Sequence, residues 1–238
     1  MNKTNNLICA HCGVIYAVLL AGGIFGIAGW LPLMPASLSA DEVAAVFTRD
    51  QNRILWGMTV LALSSVFFWP FAAAISMQMK RIEGKSHPLT YAQMASAAGT
   101  VMAVLLAAYL WIGCAFRPET TPPGTIQIFN DISWLMFIGC YPPAFIQNMS
   151  IAVCILTDKN KVKIYPRWLA VINLGATVIN FAGATLCFDK TGPFAWDGIF
   201  GFWVVAVCYF SWIFIMWRTT VQAIKQEPAE EPEGATAR

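Results

Sequence analysis

Asn173, Thr177 and Asn180 stand four and then three residues apart inside an otherwise apolar run, so on an α-helix they share one face, with Gly183 just beyond. A carboxamide donates and accepts hydrogen bonds at once, and leaving one unpaired in hydrocarbon is costly. These side chains are therefore expected to face the interior of the fold or a water-filled cavity. A second polar set, Tyr141, Gln147 and Asn148, lies around Pro142-Pro143 within another apolar run. A third, Gln93, Ser96 and Thr100, falls on one face beside the small Ala95 and Gly99, a pattern that also describes an ordinary helix-helix seam.

The proline pair is the most informative of these features. Residues 132–157 are otherwise a membrane-length apolar run. Two successive prolines delete the amides that would have reached the carbonyls of Ile138 and Gly139, and their rings crowd that turn. The run is expected to divide into two half-helices, the second opening with the amides of Ala144 and Phe145. The freed backbone groups cannot face lipid and must meet protein, water or a ligand. Two readings follow: a packing kink satisfied by a neighbouring helix, or a binding site at mid-membrane. On the second, Tyr141, Gln147, Asn173 and Asn180 are expected around one interior volume, with Pro143, Asn148, Thr177 and Gln93 completing the candidate set. The guest would be a small, neutral, largely apolar molecule, because no charge is available to bind an ion.

Metal chemistry has one candidate. Cys9-Ala10-His11-Cys12 offers soft ligands suited to zinc or copper(I), but a structural tetrahedral site needs a fourth ligand and usually a second pair. The alternative is a pair of unliganded thiols at the membrane interface. Cys114, Cys140, Cys154, Cys187 and Cys208 are scattered through apolar runs, where a lone thiol behaves as a small hydrophobe. The two histidines, His11 and His87, both lie outside the apolar cores, which removes a transmembrane bis-histidine haem and a membrane di-iron centre. None of the cores holds Asp, Glu, Lys, Arg or His, so no intramembrane acid-base pair exists. The loops are short and lack a nucleophile-base pair or a phosphate loop. The sequence thus argues against an enzyme, and no cofactor is expected.

The elements that must position these residues follow from composition. With 58% hydrophobic and 12% charged residues and a mean hydropathy of +0.59, the chain reads as a polytopic membrane protein. Apolar runs near 13–33, 54–79, 91–116, 132–157, 168–188 and 198–217 predict an all-α bundle of six spans. The domain expected is 1–218, followed by a disordered, acidic cytoplasmic tail over 219–238. Eleven of the fifteen Lys and Arg (Lys3, Lys80, Arg81, Lys85, Lys159, Lys161, Lys163, Arg167, Arg218, Lys225 and Arg238) fall on the side shared by both termini, which the positive-inside rule makes cytoplasmic. The net charge of +2 reports topology and does not suggest nucleic acid.

Ser39-Ala40-Asp41-Glu42 is a capping box that starts a short amphipathic helix near 40–50, placed flat on the outer interface or as a lid. Gly22, Gly26 and Gly29 form a small-residue stripe suited to helix packing or to contact with a second copy. The last span is almost wholly apolar and aromatic, as a lipid-facing helix would be.

The segments Phe67–Gly84 (FFWPFAAAISMQMKRIEG) and Lys190–Trp203 (KTGPFAWDGIFGFW), with the Tyr141-Pro142-Pro143 break, resemble a group of uncharacterised six-span bacterial inner-membrane proteins along the full length of the chain. The resemblance implies a multi-pass location in that membrane and carries no catalytic residues. Two functions remain open on the residues: a pocket or pathway for a neutral guest, and an accessory or scaffolding subunit, as a homo-oligomer or within a larger membrane complex. Topology is testable at once. Alkaline phosphatase fused after Gly192 is expected to be active and fused after Lys161 inactive; the opposite pattern would invert the orientation.

Overall fold

The computed structural model describes residues 3–227, and within them the apolar runs become helices. α1 (Lys3–Ala21) passes into a π-helical turn, Gly22–Ile27. A short α2 (Ala40–Arg49) precedes the long α3 (Gln51–Glu83) and α4 (Pro88–Phe116). α5 (Pro123–Gly139) and α6 (Tyr141–Leu156) are the two parts of the fourth span, and α7 (Trp168–Thr185) is the fifth. A second π-helical segment, Ile199–Trp203, leads into α8 (Val204–Lys225). Taking α1, α5–α6 and α8 with their interruptions, 6 stretches are long and apolar enough to cross a membrane. The protein is an integral membrane protein, an all-helical bundle of six spans.

Several boundaries lie beyond the apolar runs, because a helix continues through polar residues that stand clear of the hydrocarbon. Span one begins at Lys3, ahead of the expected 13. Span four begins at Pro123, which puts Asp131 on α5 instead of in a loop. α8 reaches Lys225, so residues 219–225, assigned to a disordered tail by sequence, are helical. The rest of that expected tail, from 228 to 238, lies outside the described residues.

α5 and α6 run antiparallel to α4 as one interrupted crossing. The Cys114 thiol donates to the carbonyl of Ile126 (3.5 Å), the Trp111 indole to Asn130 Oδ1 (3.2 Å), and further along Gly99 faces the Pro143 ring. Cys140 alone separates the two helices, at φ −72° and ψ 56°. The second helix therefore starts at Tyr141, three residues earlier than expected at Ala144. Pro142 and Pro143 sit in its first turn, where amides have no intrahelical acceptor to miss.

The loops gather at two ends. At the basic end, Arg81 donates to the Ala223 carbonyl (3.0 Å), Asn160 to the Arg81 carbonyl (3.3 Å), and Lys3 to the Glu227 carbonyl. There Glu83 caps α4 from outside, its carboxylate accepting the amides of Leu89 (3.0 Å) and Thr90 (2.8 Å). At the other end, Trp196 donates to the Met34 carbonyl (3.0 Å) and Gln127 to that of Leu38 (3.0 Å). α2 lies here under its capping box, in which Ser39 holds the Glu42 carboxyl below the usual carboxylate range. Its apolar face is spent on the protein: Val43 and Phe47 are buried, and Phe47 meets Trp30 edge-on at 6.4 Å. This makes α2 a lid on the bundle.

The glycine by which span one meets the backbone of α3 is Gly23 of the π-helical turn, and the sequence-derived stripe is not the one used within the chain. A Cβ on Gly23 would stand 2.6 Å from the Gly57 carbonyl of α3, and a Cβ on Gly57 would stand 2.6 Å from the Gly23 carbonyl, whereas Gly22 and Gly26 meet nothing within 4 Å. The π-helical turn is the physical reason, since its extra residue rotates the register on which an α-helical stripe depends. Gly29 serves differently, at φ 72° beside the Arg53 guanidinium. Backbone carbonyls cannot yield as side chains do, so Gly57→Ala is expected to cost about 1–3 kcal/mol in an SDS-unfolding titration, and Gly26→Ala close to nothing. Equal losses in the two variants would contradict this packing.

Candidate functional site

Three interruptions of regular helix converge on one place. The π-helical turn after α1 brings Ile24 and Phe25, the π-helical segment before α8 brings Phe202, and the break in span four brings Ile138, Cys140 and Tyr141. Together with α4, α7 and α8 they enclose a cavity of about 90 Å³. Irregular backbone at membrane depth is tolerated where it is buried in protein or lines a cavity, and here it does both. On the protein side of the break, the Ile138 carbonyl, one of those freed by the prolines, lies against Gly183 of α7, where a Cβ would come within 2.9 Å of it. That close approach is the structural use of Gly183.

The cavity walls are apolar, with a few polar groups on them. α4 contributes Thr100 and Val104, α7 contributes Asn180, and α8 contributes Ala206, Tyr209 and Phe210. The Thr100 hydroxyl is occupied by its own helix, donating to the Ser96 carbonyl at 3.1 Å. Asn180 differs: its Oδ1 is buried and has no hydrogen-bond partner among the described residues. Tyr209 Oη lies 2.9 Å from Tyr16 Oη of α1, and Tyr16 is fully buried. Tyr141 stands between the cavity and the outer surface of the bundle, its ring meeting the exposed Phe145 (5.7 Å) and Phe181 (5.4 Å). Among the described residues, no charged side chain lines the volume.

Aromatic layers bound the cavity along the bundle axis. Towards the α2 end, Phe137 and Phe202 each meet Trp134 at 6.3 Å, and Trp134 packs with Trp30 (5.3 Å) and Trp111 (5.0 Å). Towards the basic end, Tyr209 stacks on Trp212, and Tyr16 meets Phe68 at 4.9 Å. The last span therefore turns Phe202, Tyr209 and Trp212 into the bundle, and only its other face, with Val207 and Phe214, is exposed. The sequence reading of this span as a lipid-facing helix therefore holds for one face only.

Of the eight candidate site residues, the fold brings Tyr141 and Asn180 to the cavity and places the others elsewhere. Asn173 shares a face with Asn180 but lies about 10 Å along the helix axis from it, at the standard rise per residue. There it is fully buried and bonded: Oδ1 accepts from the Trp212 indole (2.9 Å) and Nδ2 donates to the Leu169 carbonyl (2.8 Å). Thr177 donates to the Asn173 carbonyl (2.9 Å), and Pro143 packs on Gly99. Gln93 Oε1 accepts from Ser76 of α3, and its Nε2 is left unpaired. Gln147 and Asn148 are buried on α6, away from the cavity, Gln147 with an unpaired Nε2. The expectation that Gln147 and Asn173 share a volume with Tyr141 and Asn180 is thus corrected. Gln147 is six residues from Tyr141, a rotation that carries it to another face of α6.

The thiols near the start of the chain form no cluster. His11 Nδ1 accepts from the Trp217 indole at 3.1 Å, and among the described residues no three His, Cys, Asp or Glu side chains are placed to hold a metal ion. Cys140, Thr100, Tyr209 and Phe202 are cavity residues that sequence reasoning did not select as site residues. Cys140 was foreseeable, as the residue that precedes Tyr141 and the proline pair at the break. Nothing in the spacing marked Tyr209, whose partner Tyr16 is 193 residues away.

Fold and cavity together define a polytopic helical membrane protein with a neutral, aromatic-walled pocket. No protein-family model, curated protein or solved structure matches this chain.

The two asparagines separate experimentally. Asn173→Leu strands the buried Trp212 indole and is expected to cost about 1–2 kcal/mol, whereas Asn180→Leu breaks no hydrogen bond and is expected to stay within about 0.5 kcal/mol of the parent. Thermal melts in mild detergent check this, and the reverse ranking would contradict it.

Proposed function

We propose that this membrane protein holds a small, neutral, largely apolar molecule in the cavity at the break of span four. The observation that carries the reading is the convergence of two π-helical segments and the Cys140 break on one volume. Interrupting three helices forgoes regular hydrogen bonds, and π-bulges occur frequently at functional sites. Apolar walls with few polar groups match the composition of small-molecule pockets. The absence of charge from the lining favours a neutral guest over an ion.

The aromatic layers on both sides along the axis support a pocket over a continuous pathway. Access is then lateral, past Tyr141 and its neighbours Phe145 and Phe181, from the bilayer itself. The resemblance found in the sequence supports a bacterial inner membrane as the setting.

A second reading, as an accessory subunit docking on another membrane protein, is favoured by one feature. α7 and α8 form an apolar groove of about 520 Å³ on their outer side, lined by Val171, Ile179, Val207 and Ile215. A partner helix lying there would co-purify in stoichiometric amount, and loss of that partner would lower stability.

The pocket reading is tested by filling the cavity. Ala206→Phe puts a ring into it from α8. Mass spectrometry of organic extracts is expected to find a small molecule enriched with the parent protein and depleted at least several-fold in a monodisperse, folded Ala206→Phe. Equal retention by the variant, or no enrichment over a detergent blank, would contradict the reading.

A further inference from the structure

The pocket's two unsatisfied polar functions specify what the guest must offer. Asn180 Oδ1 is a buried acceptor with no donor, the kind of group whose desolvation is costly until something pairs with it. The tyrosine pair supplies the complement. Tyr16 and Tyr209 share one hydrogen bond in which either hydroxyl can donate; with the fully buried Tyr16 donating, the proton of Tyr209 is left without an acceptor. The Tyr209 O–H is then free to donate, and Tyr209 lines the cavity. Asn180 and Tyr209 line one small, uncharged volume, and a single group that both donates and accepts pairs with both once the Asn180 carboxamide turns its oxygen towards it. A hydroxyl does this, whereas an ether or ester oxygen only accepts and leaves Asn180 Oδ1 stranded.

Size limits where the remainder of the guest goes. A cavity of about 90 Å³ holds a head of a few heavy atoms and no more. Its wall includes the partly exposed Tyr141, Ala144 and Phe210, so an alkyl chain attached to that head runs out laterally among lipid tails. Resting on the pocket reading above, we propose that the guest is a neutral, hydroxyl-bearing amphiphile, a long-chain alcohol or a lipid with a free hydroxyl, whose hydroxyl bridges Asn180 and Tyr209.

The test uses full-length protein in nanodiscs and two matched photoprobes: hexadecanol carrying a diazirine near its hydroxyl end, and the O-methyl ether of the same compound. The ether keeps the oxygen acceptor and the chain and lacks only the donor. The alcohol is expected to label the segments around Tyr141, Asn180 and Tyr209 about tenfold more than the ether at equal concentration, as the loss of one buried hydrogen bond implies. In Asn180→Leu that ratio is expected to fall to about one. Equal labelling of the cavity by both probes in the parent protein would overturn the hydroxyl assignment and leave the apolar pocket standing. Labelling of the cavity by neither probe, with label only on the outer faces of α7 and α8, would overturn both. The comparison on the parent chain does not depend on whether the variant folds.

Discussion

Every backbone amide and carbonyl at membrane depth needs a partner inside the protein, and the rest of this structure depends on how that requirement is met at Pro142 and Pro143. A proline pair inside a continuous helix would strand the carbonyls of Ile138 and Gly139. The chain avoids the worst of this by ending α5 at Gly139 and making the prolines the first turn of α6, where their missing amides cost nothing. What is left is a set of free carbonyls at the end of α5. Gly183 of α7 lets that backbone approach Ile138 closely, and Gly99 of α4 accommodates the ring of Pro143. Neighbouring helices are thus fitted around the interruption on two sides, and on the third the cavity remains.

The π-helical segments extend the same logic to spans one and six. Each widens its helix by one residue per turn and turns aromatic side chains toward the break. Phe25 from the first meets Phe202 from the second edge-on at 6.2 Å, and both line the cavity. The glycine contact between α1 and α3 depends on the same adjustment, because the π turn is what puts Gly23 opposite Gly57. A local change in helical winding therefore sets both the tightest interhelical contact of the first span and one wall of the pocket.

Much of the architecture was legible in the sequence because membrane helices are written in hydropathy: six spans, the short capped helix near 40–50 and an interruption of span four at the proline pair all follow from residue types, although the chain breaks at Cys140, ahead of the prolines. The site was legible only in part. Asn180 and Tyr141 stood out because polar groups in apolar runs are costly, but that cost cannot distinguish a carboxamide paired within the bundle, such as Asn173 with Trp212, from one left open, such as Asn180. The difference lies in partners distant in sequence. The π-helical segments left no compositional mark, so the glycine stripe was read on the wrong register, and the inward face of α8 was hidden in a span that is apolar on all sides.

The central claim is that the volume at the break is a binding pocket and not a packing defect. A structure determined in a lipid bilayer, at a resolution that shows individual lipid chains, tests it most directly. The account predicts elongated non-protein density with its head between Asn180 and Tyr209 and its tail leaving past Tyr141 into the bilayer. A volume closed by rotation of the Tyr141 or Tyr209 ring, with Asn180 Oδ1 bonded to a neighbouring helix, would contradict it.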